Sequence, residues 1–232
     1  MENLTIVQIL KTNERRTNVD SVFDYLYDEI ISMRLLPGTK ISEAEIAKKF
    51  EISRQPVRDA FSRLDNLDLL LIRPQKATEV KRFSSMAINT ARFVRAAVEA
   101  EVLRRAAQLC TPRGKALLDA SLDEQRIAVK ANSYDNFRVL DYQFHKLLCN
   151  VAEVDFAADV IAREKEKVDR LCILGLTRDE RLDQLMDDHI GISQMVSSND
   201  EQGAVKAGML HLSRLDSTIN AIRDENADYF DD

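Results

Sequence analysis

The spacing of apolar residues most constrains this fold, because it follows an α-helical period along nearly the whole chain. The 232 residues include only six glycines and four prolines, so few positions interrupt a helix. One interval departs from this period. A Leu and Ile run over 69–72, a turn over 73–77 and a return over 78–80 predict a β-hairpin. The sequence therefore predicts a mainly α protein with one short hairpin.

The chain divides into three predicted segments. Residues 1–18 are polar and lack periodicity, which predicts a flexible N-terminal arm. Residues 19–82 combine three short helical runs with the hairpin and form a predicted N-terminal domain. Residues 83–232 contain longer helical runs alone, which predict an all-α helical bundle. These runs cover residues 84–110, 113–131, 135–152, 156–174, 178–197 and 200–226.

Charge is distributed unevenly between these segments. The net charge is −6, but residues 1–82 carry 14 basic and 13 acidic side chains, whereas the remainder carries 19 and 26. Basic residues cluster at 48–58 and 73–82, as expected for a small DNA-binding module joined to an acidic domain. Charged residues scattered over the surface, without a DNA-binding function, would give the same counts, so charge alone does not establish a DNA-binding module.

Composition also narrows the class of protein. No uncharged apolar run approaches the roughly 18 residues of a membrane helix, and charged Glu2 and Lys11 do not fit a signal peptide. A cytoplasmic protein without a membrane partner is therefore expected. The three cysteines, Cys110, Cys149 and Cys172, lie far apart among apolar residues, and we interpret them as reduced core thiols.

Helix-start signals give the N-terminal domain the order helix, helix, helix, hairpin. The first helix follows Thr17 or Asn18, Ser42 with Glu45 opens the second, and Ser53 opens the third. Two short helices joined by a tight turn, the second beginning with basic residues, are typical of a helix-turn-helix. Its second helix enters the major groove of DNA. The predicted partner is therefore double-stranded DNA.

The third helix begins with side chains suited to reading DNA. Arg54 can donate two hydrogen bonds to guanine, and Gln55 can pair with adenine. Arg58 lies one turn further on and can reach a base or a phosphate, while Ser53 can bond a phosphate. Any one of these could be an ordinary cap or solvated residue, but their order along the chain favours a DNA-binding helix.

Basic side chains also mark the hairpin. Lys76 lies in its turn, and Lys81 and Arg82 follow its return strand. A hairpin of this charge can lie against the DNA backbone or in the minor groove. We therefore predict a wing beside the helix-turn-helix, with Lys76 and Lys81 as its DNA contacts.

The chain's three histidines fall in three different predicted helices. Asp141 and His145 are four residues apart and share one helix face, while His189 and His211 lie in the last two long runs. Packing in a bundle could bring these side chains together. One carboxylate with three imidazoles suits a divalent ion such as Zn²⁺, Ni²⁺, Mn²⁺ or Fe²⁺. Spacing alone also allows three unrelated histidines.

The N-terminal motifs closely resemble those of the GntR family of bacterial transcription regulators. The resemblance rests on the Leu-Leu-Pro-Gly turn at 35–38, Ser-Glu at 42–43, Ser-Arg-Gln-Pro-Val-Arg at 53–58 and the hairpin. It implies a winged helix-turn-helix that binds an operator. Asp68 and Ala77 stand where the family usually has glycine. At the position of Ala77, the tip of the wing, the backbone of the family's glycine enters the minor groove.

Residues 84–226 resemble the helical effector-binding domain of the FadR subfamily, the FCD domain. The matching pieces are Arg95 with Glu99, Asp141-x-x-Phe144-His145, the Asp188-His189 helix with Asp200, and the His211 helix. In that family the matching aspartate and three histidines bind a divalent metal, which closes one side of a pocket for a small carboxylate. The resemblance therefore implies a metal site at Asp141, His145, His189 and His211.

The resemblance also implies partners. A bound carboxylate would become a metal ligand, with Arg95 as a second contact and Arg92 as a weaker alternative. An ion pair between Arg95 and Glu99 is an equally good interpretation of Arg95. A homodimer would present two recognition helices to a pseudo-palindromic operator.

Two functions follow as hypotheses. One is a ligand-responsive repressor of a catabolic operon, released from DNA by a small carboxylate or sugar acid. The alternative is a metal-dependent enzyme acting on a small organic acid. The sequence offers no separate general base or nucleophile, and an enzyme leaves the DNA-binding domain without a role, so we expect no enzymatic activity.

Overall fold

The computed structural model describes residues 17–172 and 178–231, so most of the predicted N-terminal arm lies outside the described residues. The chain forms two compact units. The first contains the described residues up to 85 together with 223–231, and the second contains residues 86–222. The end of the chain, which the sequence analysis placed in the helical domain, thus groups with the N-terminal unit.

The first unit begins with helix α1, Asn18–Ile31. Thr17 caps it, because its hydroxyl accepts a hydrogen bond from the Asp20 amide while the Asp20 carboxylate accepts one from the Thr17 amide. The predicted start of this helix is confirmed. The helix ends at Ser32, before the Pro37-Gly38 turn.

Two short helices follow, α2 over Glu43–Phe50 and α3 over Arg54–Asn66. The Ser42 hydroxyl accepts a hydrogen bond from the Ala44 amide, as a capping residue should. Ser53 occupies the corresponding position before α3, but its hydroxyl makes no capping bond. The expectation that the Ser53 side chain caps this helix is therefore wrong.

A small antiparallel sheet completes the fold of this unit. Its strands are β1 (Lys40–Ile41), β2 (Leu70–Leu71) and β3 (Thr78–Val80), in the order β1-β3-β2. The hairpin was predicted, but β1 was not, since two residues are too few to show an alternating pattern. Asp68 and Gln75 have φ of 62° and 59°, the left-handed region that favours glycine.

The core of the first unit joins the helices to the sheet. Its side chains include Val22, Phe23, Leu26 and Ile30 of α1, Val57, Phe61 and Leu64 of α3, and Leu70 and Val80 of the sheet.

Near the chain's end, a 3-10 turn over Ala227–Tyr229 leads to Phe230, which pairs with Phe83 in a parallel β-bridge. The two rings lie 5.5 Å apart. This contact ties the end of the chain to the segment that follows β3.

The second unit is helical throughout its described residues. Its helices are α4 (Ser85–Leu109), α5 (Pro112–Lys130), α6 (Tyr134–Val151), α7 (Phe156–Cys172), α8 (Arg178–Ser197), α9 (Glu201–Ser213) and α10 (Leu215–Glu225). The last predicted run, 200–226, is therefore two helices. They separate at Arg214, whose amide bonds back only three residues, to the His211 carbonyl at 3.3 Å.

Close packing fixes the helix that carries His211. Gly208 of α9 is buried, and a Cβ at that position would lie 2.1 Å from Leu103 Cδ1 of α4. The absence of a side chain therefore lets α9 approach α4 closely. The surrounding core includes Leu118, Phe137, Phe144, Leu148, Leu182 and Ile192.

Candidate metal centre and candidate nucleic-acid interface

The four predicted metal ligands converge inside the second unit. Helix α6 supplies Asp141 and His145, α8 supplies His189, and α9 supplies His211. All four are buried, and one potential ligand atom from each lies within 4.8 Å of the others. Asp141 Oδ1 lies 3.3 Å from His189 Nε2 and 3.9 Å from His145 Nε2.

Two of the ring nitrogens that face this point make no hydrogen bond to the described residues, although Asp141 Oδ1 lies near both. His145 Nε2 and His189 Nε2 are buried, and neither makes a hydrogen bond within the described part of the chain. Leaving a buried polar atom unsatisfied is costly, so such atoms in a native protein call for an explanation. A divalent ion bound by these nitrogens and by Asp141 Oδ1 would satisfy them together. The group could therefore hold a metal.

Each imidazole also has a polar partner on its Nδ1 side. A partner there keeps the proton on Nδ1 and leaves Nε2 with the lone pair that binds a metal. Glu99 Oε2 lies 3.0 Å from His145 Nδ1, and Gln125 Oε1 lies 2.6 Å from His189 Nδ1. Asp188 Oδ2 lies 3.4 Å from His211 Nδ1, a contact that is not a hydrogen bond. The sequence analysis gave no role to Gln125, which belongs to α5 and meets α8 only in the folded chain.

The charge states of the group suit a metal. Burial lowers the pKa of His189 to about 4 and also lowers that of His211, so both rings are neutral at pH 7. Burial opposes ionisation of Asp141, but the Lys165 ammonium holds the pKa of this carboxyl well below its usual range. Neutral imidazoles and an ionised carboxylate are the forms that bind metal ions.

Lys165 of α7 is a further member that the sequence analysis missed. Its side chain is buried, and Nζ lies 3.0 Å from Asp141 Oδ2 and 2.6 Å from Asp169 Oδ2. Nothing in the sequence marks Lys165, because it sits in a run of charged residues over 163–167 that is typical of an exposed helix face.

The two predicted effector contacts differ in their surroundings. Arg95 is buried, and its Nε and one terminal nitrogen lie 2.9 and 2.8 Å from Glu99 Oε1. The structure thus shows the ion pair that was the alternative interpretation of Arg95. Arg92 is half-buried and pairs with Asp216 at the start of α10.

The candidate DNA-binding residues of α3 lie on the surface. Ser53, Arg54, Gln55 and Arg58 are all exposed. A terminal nitrogen of Arg58 lies 3.1 Å from the Glu43 carboxylate of α2. The Gln55 amide donates a hydrogen bond of 2.8 Å to Asp59 one turn later. Glu43 and Asp59 are therefore local partners of the candidate reading residues.

The candidate wing is exposed at its turn. Lys76 is exposed within the turn, and Lys81 forms an ion pair with Asp68. Arg82 lies 3.5 Å from the Glu79 carboxylate. Most basic side chains of the hairpin are therefore held by nearby acidic residues.

In the described residues, we found no helix of the length and apolar character needed to cross a membrane.

Comparison with known proteins agrees with both domains. Residues 18–80 match the family described as bacterial regulatory proteins, gntR family, and residues 91–214 match the FCD domain. The HTH-type transcriptional repressor RspR of Escherichia coli K12 is 34% identical over 209 residues, which span 90% of this chain and 92% of RspR. A transcriptional regulator of Streptomyces ambofaciens is 27% identical over 215 residues, or 93% and 90% of the two chains.

Solved structures show the same fold. E. coli McbR/YncC superimposes with a TM-score of 0.67 at 15% identity, covering 89% of this chain and 99% of McbR/YncC. A putative GntR regulator from Rhodococcus sp. RHA1 gives 0.67 at 18% identity, with the same coverage. The matched domains and relatives are those of regulators and not of enzymes, so the enzyme alternative is not supported. This chain belongs to the GntR family of bacterial DNA-binding transcription regulators, with an N-terminal helix-turn-helix domain and a C-terminal FCD domain.

Proposed function

We propose that this regulator is a cytoplasmic repressor of a catabolic operon. In this proposal, a small carboxylate or sugar acid bound beside a divalent metal releases it from DNA. The observation that carries the proposal is the buried group of Asp141, His145, His189 and His211 in a chain that also presents a DNA-reading helix. The name of the similar E. coli protein RspR, a repressor, supports repression over activation.

The metal would be held by Asp141 Oδ1 and one ring nitrogen each from His145, His189 and His211. Zn²⁺, Ni²⁺, Mn²⁺ and Fe²⁺ all suit three imidazoles and one carboxylate. Because imidazoles bind metal ions in their neutral form, a divalent ion with one carboxylate keeps net positive charge, which favours a carboxylate oxygen as a further ligand. The chain's own part is to fix the rings through Glu99, Gln125 and Asp188.

The effector contacts are assigned to two arginines. Arg95 reaches the histidines through Glu99, whose other oxygen lies 3.0 Å from His145 Nδ1. A carboxylate effector beside the metal would therefore act on a carboxylate–arginine pair that already contacts a ligand histidine. Arg92 is the second candidate, because its present partner, Asp216, is exposed and an effector carboxylate could take its place.

DNA binding is assigned to α3 and the wing. A homodimer would place two copies of α3 in successive major grooves of a pseudo-palindromic operator. Arg54, Gln55 and Arg58 would contact base edges, and the Ser53 hydroxyl, which makes no capping bond, would contact a phosphate. Lys76 and Lys81 would contact the backbone from the wing.

Selection of DNA by the full chain, followed by effector screening, tests this proposal. An operator is first selected from a pool of double-stranded DNA, and small organic and sugar acids are then screened by thermal shift with and without chelator. We expect one class of acid to raise the melting temperature only in the metal-loaded protein and to weaken operator binding. Stabilisation that a chelator leaves unchanged would overturn the assignment of the effector site to the metal.

A further inference from the structure

We propose that Lys165 is a positioning residue that restricts Asp141 to one-oxygen binding of the metal and so keeps coordination positions open for a carboxylate ligand. The inference rests on the proposed metal site and goes beyond it, because Lys165 is not among the four ligands. It begins from the two oxygens of Asp141, which face different partners.

The geometry separates those two oxygens. Asp141 Oδ1 faces the histidines, 3.3 Å from His189 Nε2, whereas Oδ2 lies 3.0 Å from Lys165 Nζ. An ammonium is a hydrogen-bond donor without a lone pair, so an oxygen that accepts from it is occupied on that side. For Oδ2 to bind the same ion as Oδ1, it would have to share its electron density between the ion and the Lys165 ammonium, which weakens it as a metal ligand.

Several contacts hold Lys165 in this place. Its Nζ lies 2.6 Å from Asp169 Oδ2 and 4.2 Å from the centre of the Tyr142 ring. The Tyr142 hydroxyl donates a hydrogen bond of 2.9 Å to the same Asp169 oxygen. The ammonium is therefore fixed between two carboxylates and an aromatic face, and it cannot swing away without losing all three contacts.

One-oxygen binding by Asp141 determines how many coordination positions of the ion stay open for another ligand. Three imidazoles and a single carboxylate oxygen would fill four positions of Ni²⁺, Mn²⁺ or Fe²⁺, ions that accept up to six ligands, and all four positions of a tetrahedral Zn²⁺, which would have to become five-coordinate to bind a carboxylate. A two-oxygen Asp141 would fill a fifth and leave less room for an incoming carboxylate.

Cobalt supplies a spectroscopic test in the full-length protein. The wild type, Lys165→Met, Lys165→Arg and the control Lys167→Met are loaded with Co²⁺, and metal content is measured first. Lys167 is on the same helix, is exposed and pairs with Glu164 rather than with the ligand group. Visible absorption and X-ray absorption then report the coordination number, and acetate is titrated as the carboxylate probe.

We expect one-oxygen binding of Asp141 in the wild type and a visible spectral change when acetate binds. In Lys165→Met, acetate affinity should fall about 10-fold or more, with two-oxygen binding of Asp141, while Lys165→Arg and Lys167→Met should stay near the wild type. Two-oxygen binding in the wild type, or unchanged acetate affinity in Lys165→Met, would overturn this inference. Because the wild-type spectrum alone can do so, the test does not depend on the variant folding. A wild type that binds no cobalt would instead overturn the proposed metal site.

Discussion

The candidate DNA-binding site and the candidate metal site of this regulator differ in how firmly their side chains are fixed by the surrounding protein. The candidate DNA-binding side chains of α3 are exposed. Gln55 bonds to Asp59, and Arg58 pairs with Glu43, with side chains that are 58% and 31% exposed. The histidines and aspartate of the second unit are at most 8% exposed, and each has a further polar partner. The first site can exchange its partners for DNA at small cost, whereas the second is preorganised for an ion.

The largest predicted effect is at the buried site. His189→Ala should abolish stoichiometric metal binding, because it removes one of four ligands that no neighbouring side chain replaces. The gain in melting temperature on adding metal should disappear with it. Elemental analysis and thermal melts measure both, and Gln194→Ala, an exposed change on the same helix, is the matched control. Unchanged metal content in both His189→Ala and His211→Ala would show that the group is not the metal site.

Lowering the pH should destabilise the protein mainly through the buried histidines and much less through the exposed residues of α3. His189 has a pKa of about 4 in the folded chain and about 6.5 when unfolded, so between these values the unfolded chain binds a proton that the native chain does not. Stability of the metal-free protein should therefore fall by about 3 kcal/mol as the pH drops from 6.5 to 4. Chemical denaturation across this range measures the loss. A flat profile would mean that His189 takes up its proton at the same pH in the native and unfolded chains.

Operator binding should weaken when a candidate base-contacting side chain of α3 is removed. Arg54→Ala should weaken binding to the selected operator by about 10- to 100-fold, the value of a bidentate arginine–guanine contact. Metal content should not change. Fluorescence anisotropy with labelled operator measures the affinity, and Arg126→Ala on the exposed face of α5 serves as control. Operator affinity equal to that of the wild type would remove Arg54 from the interface.

Loss of the contact between Phe83 and Phe230 should lower stability without affecting either candidate site. Phe230→Ala should destabilise the first unit by about 2 kcal/mol, since it removes a mostly buried ring packed on Phe83. Metal content should stay at the wild-type value. Melting curves of the metal-loaded protein, with Asp231→Ala as an exposed neighbouring control, test this. A stability equal to that of the control would show that the Phe83–Phe230 contact is dispensable.

The smallest predicted effect concerns the partner of Arg58. Glu43→Gln removes an exposed ion pair worth less than about 1 kcal/mol, so stability should hardly change. Operator affinity should rise by a few-fold, because Arg58 no longer has to leave a carboxylate to reach DNA. A large loss of affinity would instead show that Glu43 orients Arg58 for binding.

Local signals made the N-terminal unit predictable. Thr17 and Ser42 mark helix starts that the structure follows, whereas the first helix ends at Ile31, several residues before the Pro37-Gly38 turn. Strand β1 was missed because it exists only by pairing with β3, and a two-residue strand has no pattern of its own. Asp68 adopts a left-handed conformation, which favours glycine, although it is not a glycine.

The buried site depended on contacts between distant segments. The spacing of Asp141 and His145 was informative, but the convergence with His189 and His211 came from the family resemblance and not from the spacing of residues. The break at Arg214 and the roles of Gln125 and Lys165 gave no sequence signal, since each is a polar residue in an ordinary helical run. Only the packing of α5 and α7 against the ligand helices gives these residues their partners.

Metal content of the purified full-length protein, measured by elemental mass spectrometry, tests the central claim most directly. We expect about one divalent ion per chain, removed by chelator and restored by adding back a single metal. A protein that carries no ion and takes up none from Zn²⁺, Ni²⁺, Mn²⁺ or Fe²⁺ would contradict it. The DNA-binding assignment would then stand alone, with the three histidines as buried helix residues.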